Sequence, residues 1–251
     1  MLVTDFDGVV VDGMAEYWWA ARQCALQLDS SLGALPELVP GAFRLLRPRV
    51  LSGWEMPVLA ASIGGQGPAP GAFMADYPKA LAAALAGLGW QAQGLIQLLD
   101  QVRHQALVED RQGWLDRHQL YPWMLRRLRQ CQLEGEPWRV LTTKSAAFTA
   151  ELLSAHGLTP QAIHGREEGP KPAVLLRLLA ELRELGAGQR WLFLEDRRLT
   201  LEAVRATPGL EAVHCLLASW GYLLPEDSEQ LPAGLNLLTP ELLATPLANW
   251  P

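Results

Sequence analysis

The stretch Leu2-Val3-Thr4-Asp5-Phe6-Asp7-Gly8 is the starting point for interpreting the fold of this chain. Its first three residues are apolar or β-branched, and two aspartates and a glycine follow them directly. A short apolar run that ends at a polar, glycine-containing loop is typical of a buried β-strand whose carboxyl end opens into that loop. The pattern therefore predicts a first strand that presents Asp5 and Asp7 at its carboxyl end.

The region after Tyr121-Pro122 alternates between helical and strand patterns. We predict helices over 123–132, 145–156, 172–185 and 199–205, and strands over 138–142, 162–164, 191–194 and 212–218. Strands that alternate with helices favour right-handed crossovers and a parallel sheet. The first strand is expected to join this sheet, and the proline-rich tail, 225–251, is predicted to lie on the surface.

The intervening segment is predicted to be helical, with helices over 15–28, 73–88 and 94–108 between breaks such as the glycine-rich 64–68. The predicted fold is thus α/β, with a doubly wound (Rossmann-like) parallel-sheet core formed by 1–13 and 118–251. An all-helical cap domain, 14–117, is inserted into it.

Composition excludes several classes of protein. The 251 residues carry a net charge of -6, so no broad basic field is available for nucleic acid or an anionic membrane surface. No apolar run approaches the roughly 20 residues that span a bilayer, and no signal-peptide pattern precedes Asp5. Three cysteines without close spacing indicate neither a disulfide framework nor a zinc site. We expect a cytoplasmic protein that binds neither nucleic acid nor membrane, with a monomer or a homodimer left open.

Polar residues cluster at the predicted carboxyl ends of the strands, where open parallel sheets bind ligands. They are Asp5, Asp7, Thr142, Thr143, Lys171, Glu195 and Asp196. Four carboxylates in one site would repel one another unless a cation lay among them. Oxygen ligands without a nearby histidine or cysteine pair select Mg²⁺ rather than zinc.

The same residues resemble the motifs of the haloacid dehalogenase superfamily. Asp5-Phe6-Asp7-Gly8 looks like its first motif, and Thr142, Lys171 and Glu195-Asp196 look like its second, third and fourth. The resemblance covers 1–13 and 118–222. The segments 141–144, 155–158, 169–172 and 220–222 are similar to the branch that contains phosphoglycolate phosphatases and β-phosphoglucomutases.

The resemblance implies a magnesium-dependent phosphatase that hydrolyses a small phosphate monoester through an aspartyl-phosphate. Asp5 would be the nucleophile and Asp7 the general acid and base. Thr142 would bond a phosphoryl oxygen, Thr143 would contact substrate, and Lys171 would neutralise charge. Asp5, the backbone carbonyl of Asp7, Glu195 and Asp196 would hold Mg²⁺.

Some features leave alternatives open. Arg197 and Arg198 stand where a small serine is common in the family, and they either pair outward or crowd the metal ligands. Arg44, Arg47 and Arg49 of the cap are candidates for gripping a second anionic group of the substrate, although arginines at helical spacing are more often a solvated face. A sugar phosphomutase of the same fold and a noncatalytic binding or assembly module are the competing functions.

Overall fold

The computed structural model describes residues 1–33, 35–184 and 190–251, so Leu185, the last residue of the predicted helix 172–185, lies outside the described residues. The chain divides into two compact units. Met1–Asp12 and Leu120–Pro251 form the first, here called the core unit, and Gly13–Gln119 form the second, here called the helical unit.

The strands are β1 Leu2–Thr4, β2 Val11–Asp12, β3 Gln119–Leu120, β4 Trp138–Leu141, β5 Ala162–His164, β6 Trp191–Glu195, β7 Val213–Ala218 and β8 Leu235–Leu238. The helices of the helical unit are α1 Met14–Leu28, α2 Gly41–Leu46, α3 Glu55–Ile63, α4 Pro70–Ala75, α5 Tyr77–Leu88, α6 Ala92–Glu109 and α7 Arg111–Leu115. The helices of the core unit are α8 Pro122–Glu134, α9 Ala146–Ala155, α10 Lys171–Glu184, α11 Arg198–Arg205 and α12 Pro240–Leu243.

The core unit contains a six-stranded sheet in the order β5-β4-β1-β6-β7-β8, and every neighbouring pair is parallel. The chain builds outward from β1 first on the β4 side and then on the β6 side. The predicted doubly wound parallel sheet is therefore confirmed, with β1 at the point where the winding reverses. A ligand site is expected in the crevice outside the carboxyl end of β1.

Apolar residues of β1, β6 and β7 pack against apolar residues of α10 and α11. Val3, Phe193, Cys215 and Leu217 are fully buried in one cluster with Val174 and other residues of the helices. Each such side chain stabilises the fold by about 1.5–3 kcal/mol relative to an exposed one. This packing fixes β1 between β4 and β6 and so fixes the residues that follow each strand.

One prediction of secondary structure and one of surface exposure are wrong. The single helix 73–88 is two helices, α4 and α5, because Asp76 is extended at φ -152° and its carboxylate accepts a hydrogen bond from the N–H of Lys79. This is N-cap chemistry, which starts a new helix. The tail 225–251 is not confined to the surface: it supplies β8 to the sheet, and Trp250 is only 2% exposed.

The helical unit is organised around a buried charged group. Glu16 on α1 is fully buried and accepts two hydrogen bonds from Arg103 on α6, at 2.7 and 2.8 Å, and one from Trp114 Nε1 at 3.3 Å. Removing one partner of such a buried pair costs about 3–5 kcal/mol, so this contact ties α1 to α6. Among the described residues, no helix is both long and apolar enough to cross a membrane.

Candidate active site

The register of the sheet brings the predicted site residues to one level. Thr4 lies opposite Val140 of β4 and Leu194 of β6, and the N–H of Asp5 donates to the Leu194 carbonyl at 2.8 Å. The ladder thus continues one residue beyond β1. Because the strands are parallel, the residues that follow β1, β4 and β6 emerge at the same edge of the sheet.

Lys171, the first residue of α10, joins two of these carboxylates. Its Nζ lies 2.7 Å from Asp5 Oδ1 and 2.6 Å from Glu195 Oε2. All three side chains are buried. The contact with Glu195 is a charge-assisted hydrogen bond, and the contact with Asp5 is an ion pair. Both are strengthened in a site shielded from water, and they hold the Lys171 ammonium group beside the Asp5 carboxylate.

The electrostatics of this group are shifted in a way that matters for chemistry. The pKa of Asp5 is raised to about 7, mainly by burial and then by the negative charge of Glu195, while Lys171 opposes both effects. Burial also raises the pKa of Glu195. Burial disfavours the charged form of Lys171, but Asp5 and Glu195 outweigh it, and the pKa of Lys171 is raised. Titratable groups perturbed by burial and by specific charge partners are typical of functional sites.

Three buried carboxylates converge here. Asp5, Glu195 and Asp196 each place one carboxylate oxygen within 4.8 Å of the others. Glu195 Oε1 accepts hydrogen bonds from the N–H groups of Asp196 and Arg197, both at 3.1 Å, while its Oε2 accepts from Lys171. A set of hard oxygen donors with an excess of negative charge fits Mg²⁺.

The side chain of Asp7 has a different partner from that of Asp5. Lys144 Nζ lies 3.3 Å from Asp7 Oδ1 and 3.4 Å from Oδ2, and the Lys144 side chain is buried. Lys144 is not among the site residues predicted from the sequence. The available signal was a basic residue in the same short loop as Thr142, directly after β4.

The two threonines of that loop differ. Thr142 is buried, and its Oγ1 accepts a hydrogen bond from the N–H of Lys144 at 3.1 Å. Its N–H in turn donates to the His164 carbonyl at 2.9 Å. Thr143 is exposed. Thr142 is thus held at the end of β4, the strand beside β1, whereas Thr143 is exposed to solvent.

The arginines have identifiable contacts. Arg198 pairs with Glu202 at 2.8 Å and donates to the Glu229 carbonyl at 2.9 Å, so it pairs away from the three converging carboxylates. Arg197 is partly buried. Arg44 on α2 is exposed. Arg47 stacks 4.8 Å over the Tyr17 ring within the helical unit, and Arg49 is partly buried there. Contact of Arg44, Arg47 and Arg49 with a substrate stays a prediction.

Comparison with known proteins supports the fold. No family model matches the sequence, and no curated protein matches it. A solved structure of a predicted phosphoglycolate phosphatase from Haemophilus somnus is 14% identical, with a TM-score of 0.59 over 94% of this chain and 92% of that one. A hydrolase of the haloacid dehalogenase-like family from Streptococcus pneumoniae is 17% identical, with a TM-score of 0.57 over 97% and 96%. A predicted phosphatase from Clostridium acetobutylicum is 14% identical, with a TM-score of 0.54 over 94% and 92%. At these identities the similarity establishes a shared fold, as the motif resemblance predicted.

Proposed function

We propose that this chain, which has the fold of haloacid dehalogenase-like hydrolases, is a magnesium-dependent phosphatase for a small phosphate monoester. The observation that carries the proposal is the buried array in which Lys171 Nζ contacts both Asp5, at 2.7 Å, and Glu195, at 2.6 Å, at the carboxyl ends of β1 and β6. Burying several ionised groups is expensive, and a structure retains such a cluster where its charge has a function.

The metal ligands follow from the donor set. Asp5, Glu195 and Asp196, with the backbone carbonyl of Asp7, would hold Mg²⁺, and Glu195 also accepts a hydrogen bond from Lys171. A bound divalent cation at this position would neutralise charge on the phosphoryl oxygens of the substrate. The donors are oxygens, which is the ligand type that Mg²⁺ requires.

The chain's own residues supply the remaining chemistry. An Asp5 carboxylate oxygen attacks phosphorus, the ester P–O bond breaks, and the leaving alkoxide takes a proton from Asp7. A water molecule then gives a proton to Asp7 and attacks the aspartyl-phosphate, which releases phosphate and regenerates Asp5. Lys171 stabilises charge at Asp5 and the phosphoryl group, and Thr142 donates to a phosphoryl oxygen.

The proposed role of the helical unit is that of a cap that excludes water during turnover. Its partner is a small phosphorylated metabolite, and Arg44, Arg47 and Arg49, together with Thr143 of the core unit, are the candidate contacts to the non-reacting part of that molecule. We place this activity in the cytoplasm.

The test is phosphate release from a panel of phosphorylated metabolites and an aryl phosphate, with Mg²⁺ and with EDTA. We expect release only with Mg²⁺, and a loss of at least about a thousandfold in Asp5→Asn, because the nucleophile is removed. Glu37→Gln, which removes an exposed carboxylate of the helical unit, serves as the control and should retain activity.

Two results would contradict the proposal. Activity that survives in Asp5→Asn would exclude Asp5 as the nucleophile. A phosphoryl group moved to a second hydroxyl of a sugar phosphate, without release of phosphate, would make the protein a phosphomutase.

A further inference from the structure

A three-residue segment after β7 contacts the loop that follows β1. Trp220 Nε1 donates to the Val9 carbonyl at 2.9 Å, and the Tyr222 hydroxyl donates to Asp12 Oδ1 at 2.7 Å. These contacts hold the loop at Val9, directly after Gly8, and at Asp12 of β2, where the loop ends. Asp7, whose carboxyl group and backbone carbonyl both have proposed roles, lies at the start of that loop.

The same segment contacts a proposed metal ligand, Asp196, directly after β6. The N–H of Tyr222 donates to Asp196 Oδ2 at 2.9 Å. There is no spare room around this contact, since a Cβ on Gly221 would lie 2.1 Å from Asp196 Cβ. A Cβ on Gly8 would lie 1.9 Å from Asp196 Oδ2 and 2.8 Å from Tyr222 Cδ2. Asp196 is thus enclosed by Gly8, Gly221 and Tyr222.

We propose that Tyr222 is a positioning residue for the metal site, which it serves by joining Asp196 to the loop that carries Asp7. The inference rests on the proposed function. One residue reaches both sides of the site: its N–H orients the Asp196 carboxylate, and its hydroxyl anchors Asp12 at the other end of the Asp7 loop. Groups that orient metal ligands in this way typically change metal affinity by about 10–100-fold when they are removed.

The hydroxyl and the N–H can be separated by mutation. Tyr222→Phe keeps the backbone N–H and most of the ring packing, and it removes only the hydrogen bond to Asp12. We expect Mg²⁺ affinity, measured by calorimetric titration of metal-stripped protein, to fall about tenfold. We expect Asp12→Ala to lower it comparably, and the double variant to be no weaker than the weaker single variant, because both substitutions remove the same contact.

The helical unit offers a matched control. The Tyr77 hydroxyl donates to Glu55 Oε2 at 2.7 Å, a buried contact of the same type and length. Tyr77→Phe should lower the melting temperature and leave Mg²⁺ affinity unchanged. A purely structural role for Tyr222 would give the same pattern in Tyr222→Phe.

The outcomes separate the two proposals. If the native chain binds Mg²⁺ and hydrolyses phosphate esters, and Tyr222→Phe has unchanged affinity for Mg²⁺, this inference alone is overturned. Equal weakening of Mg²⁺ binding in Tyr222→Phe and Tyr77→Phe would also overturn it, because the effect would be general loosening. Native chain that binds no Mg²⁺ would overturn the proposed function and this inference with it.

Discussion

Asp5→Asn should stabilise the metal-free protein, although it removes the proposed nucleophile. In the folded chain burial raises the pKa of Asp5 from an ordinary value of 3.8 to about 7. Between these two values the folded protein binds one more proton than the unfolded chain, so its stability falls as pH rises through that window and levels off above it. Three pKa units correspond to about 4 kcal/mol. That value is the upper limit of the stability that the folded protein loses when Asp5 ionises in its buried site.

Asparagine has the same shape and carries no charge, so the variant avoids this cost. We expect the stability of Asp5→Asn relative to the native protein to grow by about 2–3 kcal/mol between pH 5 and pH 8 in EDTA. The assay is urea unfolding of both proteins across that pH range. Glu37→Gln, at an exposed site, controls for the removal of one negative charge.

Magnesium should act in the opposite direction and favour the native protein. A ligand that binds only the folded state stabilises it by RT ln(1 + [L]/Kd), and native Asp5 is one of the proposed ligands. Above pH 7 the native protein should therefore gain more stability from Mg²⁺ than Asp5→Asn does. A stability difference that stays constant from pH 5 to pH 8, or an equal gain from Mg²⁺ in both proteins, would refute the electrostatic reasoning.

Two further substitutions test the contacts around this group. Lys144→Met should reduce hydrolysis of an alkyl phosphate more than that of an aryl phosphate, because Lys144 orients Asp7 and only the poor alkoxide leaving group needs a proton from Asp7. Lys144→Arg should retain more activity on the alkyl phosphate than Lys144→Met does. Equal losses on both substrates in Lys144→Met would contradict this role. Gly8→Ala should destabilise the protein by about 1–3 kcal/mol in urea unfolding, because Gly8 has φ +87° and its new Cβ would meet Asp196 Oδ2. Gly71→Ala is the control: Gly71 lies on α4, and among the described residues nothing outside its own helix backbone and chain neighbours lies within 4 Å of a Cβ there. An equal loss in this variant would contradict the reasoning.

The grouping of the candidate site residues at one edge of the sheet could be predicted from sequence because it depends on local patterns. Apolar runs that end in Asp5, Thr142 and Glu195 identify strand ends, and parallel strands bring their carboxyl ends to one edge. The structure places Asp5, Lys171 and Glu195 in direct contact. The shared edge follows from any parallel strand order, but the contacts of Lys171 with both carboxylates also require β1 and β6 to be neighbours.

Contacts between distant loops could not be predicted in this way. Lys144 and Asp7 are 137 residues apart, and no periodicity indicates that a side chain after β4 crosses to the loop after β1. Strand β8 was missed for a similar reason, since Leu-Asn-Leu-Leu in a proline-rich tail becomes a strand by pairing with β7. The break at Asp76 was different: Asp76 followed by Pro78 is a helix-start signal that the sequence does contain.

Charge balance connects Lys144 to the proposed metal. Asp5, Asp7, Glu195 and Asp196 carry four negative charges when ionised, and the buried lysines that contact them, Lys144 and Lys171, return two positive charges. Two negative charges then remain, which one divalent cation would cancel. With Lys171 alone the same cation would leave one carboxylate uncompensated as a phosphate dianion approached, and like charges repel strongly in a site shielded from water. Lys144 is therefore expected to matter for substrate binding as well as for the orientation of Asp7, so Lys144→Met should raise KM for every phosphate ester while the leaving-group dependence appears in kcat.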